Sequence, residues 1–474
     1  MNSKEILELV KGHKSLQEHK DFWEFLHDSY KGGEDYLKGG YLSKHSKEPQ
    51  TNYKKRCEAS SYANFVAPVV DTYADYIFSS NIKREITVPE TYNKLLDNIN
   101  NNFDLKESTA SEVMRELGVW TMVYGRMLAI IDTPIFEGEL SLQQSIDEEI
   151  QPYVTMYQPT SIVNWTMTPP GMGPRKLLSL VLFEGDEGKE RFYKIWTNDA
   201  WLLVSVEGSK VKHVADGENK LGYIPYVNIT YKSGFSEDFD DGESLVSDIS
   251  KLSQRIYNLD SNALEITEHT TFPILALPVR DGESNDHLIG VGNAIPIDPD
   301  APNSLPQWIA PPTNNLDAIQ SWRKQSVEDI QELSFMIGSV SGSSQSGLAL
   351  ETRQQSLHST LGALAIKLQK AETKMYMIMF DYLNIEAEVD IAYPTSFAVR
   401  DLSTDLDSAI KAKSIIKSNT FAQKLDNALA HKVLSKLASD DTLTQEDKDA
   451  IIDELGNSQE NDITNIIGNI NNQG

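Results

Sequence analysis

The most regular stretch of the chain is LVSDISKLSQRIYNLDSNALEI, residues 245–266. Its apolar positions recur at alternating intervals of four and three residues, which places them along one face of a helix. Such a seam is typical of a helix that lies against another helix, and Pro273 ends the pattern. The seam consists of Leu245, Ile249, Leu252, Ile256, Leu259, Ala263 and Ile266.

Two more helices are predicted downstream of this seam. Asn314 or Asn315 caps the first of them, and Gly338 ends it. The second runs from Leu348 to Leu383, roughly 50 Å at about 1.5 Å per residue. The apolar face of the first helix contains Leu316, Ile319, Val327, Ile330, Leu333 and Ile337. The second helix carries another strict heptad, made of Leu357, Leu361, Leu364, Leu368, Ala371, Met375, Ile378 and Tyr382.

Two segments of unusual composition separate these helices. Residues 273–313 are rich in proline and contain short apolar runs, which predicts a small β or extended module inserted between helices. Residues 338–347, GSVSGSSQSG, carry no charge and almost no side-chain bulk. A segment of this kind approaches another surface closely without offering charges that would hold it. Its composition therefore suits contact with something that moves.

The N-terminal half mixes helices with strands. The first 60 residues are predicted to be an irregular arm with one helix near Phe22 to Leu26. From Arg126 to Tyr231, short β-branched and aromatic runs alternate with turn clusters, which predicts a mostly antiparallel sheet. The fold class is therefore predicted to be α+β. Helices are expected between the arm and the sheet over residues 59–78, 91–101 and 106–124, the last one ended by Gly125.

Composition limits the functions that are open to the chain. The 474 residues include 43 Lys+Arg against 70 Asp+Glu, a formal net charge of −27. A protein that grips many phosphates needs a basic face, so any contact with nucleic acid is expected to be local or weak. One cysteine, Cys57, permits no internal disulfide. No apolar stretch approaches the length of a membrane span, so we expect assembly in a reducing cytoplasm and no membrane partner.

The usual signatures of catalysis are missing from the sequence. There is no phosphate-binding loop with its lysine, no dinucleotide fingerprint, no zinc-spaced histidines and no Gly-x-Ser-x-Gly motif. We therefore expect the chain not to be an enzyme and to need no cofactor. The acidic run at residues 236–242 fails the EF-hand pattern, because Asp241 stands where the glycine belongs. A weaker divalent-cation site at Asp238, Asp240 and Asp241 is one interpretation, and a solvated acidic turn is the other.

The order of these parts resembles that of the portal proteins of tailed bacteriophages. In that family an arm and a mixed α/β wing lead into a stem helix, a clip insertion, a second stem helix, a tunnel loop, a long wing helix and a helical crown. The resemblance covers essentially the whole chain. The matching parts are residues 1–58 (arm), 59–242 (wing), 243–271 (first stem helix), 272–313 (clip), 314–337 (second stem helix), 338–347 (tunnel loop), 348–385 (wing helix) and 386–474 (crown and tail).

The N-terminal stretch is similar to one branch of the family, in which Gly-Gly and Tyr-Leu precede Tyr-x-x-Arg and an aromatic helix. The corresponding residues are Gly32-Gly33, Tyr36-Leu37, Tyr53-Lys-Lys-Arg56 and Tyr62-Ala-Asn-Phe65.

The resemblance implies a homo-oligomeric ring of about twelve copies at one capsid vertex of a virion. Double-stranded DNA passes through such a ring without sequence-specific recognition. The implied protein partners are the terminase motor, the capsid, the scaffold and the neck or tail adaptors. The motor is a separate ATPase in that family, which agrees with the missing phosphate-binding loop here.

The resemblance also assigns roles to individual residues. The channel segment comprises Ser339, Ser341, Ser343, Ser344, Gln345 and Ser346. The residues expected to pack in the stem, partly between subunits, are Leu245, Ile249, Leu252, Ile256, Leu259, Ile266, Ile330 and Leu333. Candidate DNA contacts are Arg323, Lys324 and Arg353, for which the alternative is pairing with Glu328, Asp329 or Glu351 on a helix surface.

Two other functions stay open on the sequence alone. One is a coiled-coil scaffold or adaptor that binds protein partners and no DNA. The other is an acidic cytoplasmic hydrolase that uses the strand-rich region.

Overall fold

The computed structural model describes most of the chain up to Phe397. The fold mixes helices and sheets, so the α+β class is confirmed. Residues 398–474, which include most of the predicted crown, form a separate unit that lies outside the described residues. The residues described are 2–79, 82–134, 144–145, 150–169, 171–232, 239, 242–271, 274–278, 294–298, 300, 305–309, 314–334, 347–394 and 397.

The described elements are ten α-helices and thirteen strands, with short 3₁₀ turns at Glu90–Tyr92 and Pro159–Ser161. The helices are α1 (Ser3–Leu9), α2 (Lys14–Lys31), α3 (Gly33–Lys38), α4 (Gln50–Ala59), α5 (Val66–Phe78), α6 (Asn93–Asn101), α7 (Ala110–Tyr124), α8 (Ser247–Thr271), α9 (Asn314–Leu333) and α10 (Gly347–Leu383). The strands are β1 (Lys83–Thr87), β2 (Arg126–Asp132), β3 (Tyr153–Tyr157), β4 (Ile162–Met167), β5 (Leu177–Glu187), β6 (Glu190–Thr197), β7 (Ala200–Glu207), β8 (Lys210–Glu218), β9 (Tyr226–Thr230), β10 (Ile274–Pro278), β11 (Ala294–Ile297), β12 (Gln307–Ile309) and β13 (Glu388–Ala392).

The first 60 residues do not form an irregular arm, so that prediction is wrong. They fold into α1 to α4, and Trp23, Leu26 and Tyr36 are buried in the main core. Gly32, at a φ of +64°, lets the chain turn sharply between α2 and α3. The glycines therefore end helices here, and tertiary packing stabilises helices too short to be stable alone.

The strand-rich region forms two antiparallel sheets, as predicted. One is a five-stranded meander in the order β4-β5-β6-β7-β8, and the other has the order β3-β2-β9. Every residue of the central strand β2 is buried. Helix α1 covers one face of the meander, where Ile6 packs with Val181, Ile195 and Val204 in a core of its own.

The heptad of α10 is buried within the subunit itself. Leu361, Leu364, Leu368, Met375 and Ile378 all lie in the main core. The helix contacts α5, α7, β2 and β9. Its seam is thus covered by the wing of the same chain. The sheets and helices of the wing therefore occupy the apolar face of this helix within one subunit.

Three strands of the proline-rich insertion form a small sheet. Its order is β11-β10-β12, with β10 parallel to β11 and antiparallel to β12. This confirms the predicted β module. Within the described part of the chain, no helix is both long and apolar enough to cross a membrane.

Candidate assembly and channel site

The stem consists of α8 and α9, which pack against each other. The buried positions are Ser326 and Ile330 on α9 and Ser334 directly after it, each four residues from the next. The serine hydroxyls donate to carbonyl oxygens one turn earlier, Ser326 to Trp322 at 2.9 Å and Ser334 to Ile330 at 2.8 Å. These small side chains, whose hydroxyls are bonded to backbone carbonyls one turn earlier, allow α8 to approach closely.

The predicted seam of α8 is only partly covered. Ile249 and Ile256 are buried, whereas the other four predicted packing positions, Leu245, Leu252, Leu259 and Ile266, are half-buried. On α9, Ile330 is buried but Leu333 is 46% exposed. The stem pair therefore leaves apolar surface at the side chains that the sequence assigned to packing.

A second exposed apolar residue lies on α9, and the sequence analysis missed it. Trp322 is 60% exposed, eleven residues before Leu333. The heptad search overlooked it because Trp322 lies at the edge of the predicted apolar face, about 20° around the helix from Leu333. An aromatic residue eleven positions before Leu333 was the available signal.

The structure describes the side chains of two of the three candidate DNA contacts. Arg323 pairs across the stem, its Nε 2.7 Å from Oδ1 of Asp260 on α8. Lys324 Nζ lies 3.9 Å from Glu328 Oε1 on its own helix. Both side chains therefore lie close to carboxylates, but the partner of Arg323 is none of the three acids named from the sequence. Arg353 falls within α10, and its side chain lies outside the described residues.

The remaining predicted site residues also lie outside the described part of the chain. These are the channel-segment residues Ser339, Ser341, Ser343, Ser344, Gln345 and Ser346, and the cation candidates Asp238, Asp240 and Asp241. Both ends of the channel segment have described neighbours. The buried Tyr73 hydroxyl donates to the Ser334 carbonyl oxygen at 2.9 Å, and Gly347 begins α10. Among the described residues, no group of three or more His, Cys, Asp or Glu could hold a metal ion.

The junction between the wing and the stem contains a fully buried arginine. Arg126, at the start of β2, donates from Nη1 to the Phe239 carbonyl oxygen at 2.6 Å, and its guanidinium lies 4.9 Å from the Phe239 ring. Gly125 before it has a φ of +85°, and a Cβ there would lie 2.5 Å from the Glu243 carbonyl carbon. Phe239 therefore contacts a buried cation of the protein. A Cβ added at Gly125 would clash with the backbone that leads into α8.

A second buried arginine joins the N-terminal helices to the stem. Arg56 on α4 bonds both carboxylate oxygens of Glu48, at 2.9 and 3.0 Å, and reaches Ser261 Oγ on α8 at 3.2 Å. The hydrogen bonds that Glu48 accepts from Arg56, together with one from the His45 backbone N–H, lower the pKa of Glu48 to about 2. The ion pair and the serine therefore anchor the stem to the N-terminal helices.

This anchor predicts a loss of stability in acid. Because the folded-state pKa of Glu48 lies below its usual value of 4.5, its contribution is complete above pH 4.5. It should be lost as the pH falls from about 4.5 to about 2. The Glu48→Gln variant should be less stable than wild type at pH 7, and the difference should shrink across that range, as measured by urea unfolding. A difference that is independent of pH would contradict the prediction.

Comparisons with known proteins gave weak structural likenesses only. No family model matches the chain, and no curated protein does either. Among solved structures, a chain from the virion of the native gene transfer agent particle is 11% identical, with a TM-score of 0.39, and the match covers 76% of this chain and 88% of that one.

Two further matches come from the neck of the same type of particle. The neck of the empty particle, computed with C6 symmetry, gives 10% identity, a TM-score of 0.40, and coverage of 80% of this chain and 93% of that one. The neck of the native particle, computed with C12 symmetry, gives 10% identity, a TM-score of 0.37, and coverage of 76% and 88%.

Proposed function

We propose that this chain is the subunit of a portal ring, a non-enzymatic conduit for double-stranded DNA at one vertex of a phage-like capsid. The observation that carries the proposal is the stem: two packed helices hold a small β-sheet insertion between them, and a charge-free Gly/Ser segment and a long helix follow. This is the order of parts in portal proteins. In that arrangement the insertion docks the packaging motor and later the neck proteins.

The incomplete burial of the stem supports assembly into a ring. Trp322 and Leu333 on α9 expose 60% and 46% of their surfaces, and Leu264 on α8 exposes 38%. We take these three side chains as part of a surface that another protein covers. In a ring of identical subunits, the next copy covers it.

The charge suits a protein that surrounds DNA without gripping it. At −27 per subunit, a ring of about twelve copies carries a few hundred negative charges, which repel the phosphate backbone. Arg323 and Lys324 lie close to carboxylates of the same chain. Because these carboxylates offset their charge, we expect neither residue to bind DNA strongly. Divalent cations bound near Asp238, Asp240 and Asp241 would moderate the repulsion between subunits.

Mass measurement in solution tests the ring. We expect particles of about twelve subunits with a central hole in negative-stain images. A protein that stays monomeric or dimeric at high concentration with added magnesium would overturn the proposal. A DNA-free scaffold would instead copurify with protein partners and show no such ring.

A charge placed in the channel segment should impair DNA movement. In a variant with Ser343→Asp, Ser344→Asp and Ser346→Asp, the added carboxylates would stand within a screening length of the DNA, where repulsion is far stronger than that of the charge spread over the rest of the ring. We expect rings of normal size but DNA packaging reduced at least about tenfold. The matched control replaces the same serines by asparagine, which adds similar bulk without charge and should package normally. If the aspartate variant packaged DNA as well as wild type, the segment would not line the channel.

A further inference from the structure

One side of α9 carries three side chains in a fixed order. Trp322 and Leu333 are the large exposed apolar groups. Asp329 lies between them, seven residues after the tryptophan and four before the leucine; it is half-buried and accepts a hydrogen bond from Gln325 Nε2 at 2.8 Å. At about 100° per residue, the three lie within about 40° of one another around the helix, and they span about 16 Å along it. They form a narrow stripe with one negative charge, here named the α9 stripe.

Helix α10 carries a similar stripe with the opposite charge. Although its heptad is buried, Ile366 is 47% exposed and Met377 is 57% exposed. The exposed Lys370 lies between them, four residues after the isoleucine and seven before the methionine. These three also lie within about 40° around the helix and span about 16 Å. They are named the α10 stripe.

The two stripes match when the helices run antiparallel. Along the chain, the three side chains of the α9 stripe are separated by seven and then four residues, and those of the α10 stripe by four and then seven. When one helix runs in the opposite direction to the other, the two spacings coincide. All three contacts then become favourable: two pairs of large apolar side chains flank one pair of opposite charges. The resulting pairs are Trp322 with Met377, Asp329 with Lys370, and Leu333 with Ile366.

We infer that the α9 stripe of one subunit binds the α10 stripe of the next subunit in the ring. This inference rests on the proposed function. The contact joins two different surfaces, which is the kind of interface that generates closed rings when it is repeated around an axis. Pairing either stripe with its own copy also brings apolar groups together, but it leaves the charges unmatched. In that case Asp329 would lie opposite Ser326, or Lys370 opposite Thr373. Such a two-fold contact would also stop at a dimer.

Disulfide trapping tests which residues meet. In a Cys57→Ser background, the double variant Trp322→Cys and Met377→Cys should give, on oxidation, a ladder of covalent oligomers that extends to ring size. Each single variant should give no ladder. The matched control pairs Met377→Cys with Lys324→Cys, which is equally exposed but lies on another face of α9, and it should give no ladder either. In a two-fold pairing of α9 stripes, Trp322 of one copy would lie opposite Leu333 of the other, so a covalent dimer from the double variant Trp322→Cys and Leu333→Cys would overturn the inference.

A charge exchange tests the central pair. Asp329→Lys and Lys370→Asp should each raise the protein concentration needed for half-maximal ring assembly at least about tenfold, because each places like charges together. The double exchange should restore assembly to within about threefold of wild type. Light scattering measures the assembled fraction.

The outcomes separate the inference from the proposed function. Wild-type rings with neither a ladder nor rescue by the double exchange would overturn the stripe pairing while the portal proposal stands. A wild-type protein that forms no rings would overturn both.

Discussion

Replacing Arg84 with methionine should lower the free energy of unfolding by about 3–5 kcal/mol, because the change leaves a buried carboxylate without its counter-charge. Arg84 on β1 places Nε 2.5 Å from Oε1 of Glu372 on α10, whose side chain is fully buried. The Tyr393 hydroxyl donates to the other carboxylate oxygen at 2.5 Å. Arg84 also donates from Nη1 to Ser111 Oγ on α7 at 2.8 Å. The network therefore ties the β1–β13 ribbon to the long helix.

Two control variants make this prediction specific. Lys83→Met, one residue away on the same strand, removes a fully exposed pair with Glu85 and should leave the free energy of unfolding near that of wild type. The double variant Arg84→Met with Glu372→Leu removes both charges and should recover most of the loss. Urea unfolding measures all three. If Arg84→Met were as mild as Lys83→Met, the network would have no role in stability.

Gly125→Ala should cost about 2–5 kcal/mol of unfolding free energy, from backbone strain together with a backbone clash. Gly125 has a φ of +85°, where a side chain is strained. The new Cβ would also lie 2.5 Å from the Glu243 carbonyl carbon and 2.7 Å from the Gly242 carbonyl oxygen. Because neither contact is with a flexible side chain, the segment that leads into α8 would have to move.

The control for this substitution is Gly222→Ala, at a φ of +69° with open space around the new Cβ. This variant has the backbone strain of a positive φ but no clash of the new Cβ, so it should lower the free energy of unfolding by about 1 kcal/mol. Urea unfolding compares the two variants. Light scattering should show that Gly125→Ala also weakens ring assembly, because it displaces the start of the stem. Equal costs for the two alanines would show that the close approach of the chain at Gly125 has no energetic weight.

Features that depend on a local pattern were predictable from the sequence. The heptad of α10, the strands of the wing and the end of α7 at Gly125 all follow from the spacing of apolar residues or from one glycine. The N-terminal region was mispredicted for the same reason. Its helices are short and punctuated by glycines, so their periodicity is weak, and packing of Trp23 and Tyr36 in the core stabilises them.

The sequence alone was enough to predict the strand-rich wing, the apolar face of α10 and the absence of charge in residues 338–347. Only the tertiary structure decided what covers each face: the wing covers the heptad of α10, while the stem leaves Trp322 and Leu333 exposed. It also decided the partners of the arginines, because Arg84 and Glu372 are separated by 288 residues. Periodicity shows which side of a helix avoids water, but the chain topology determines which distant residue meets it.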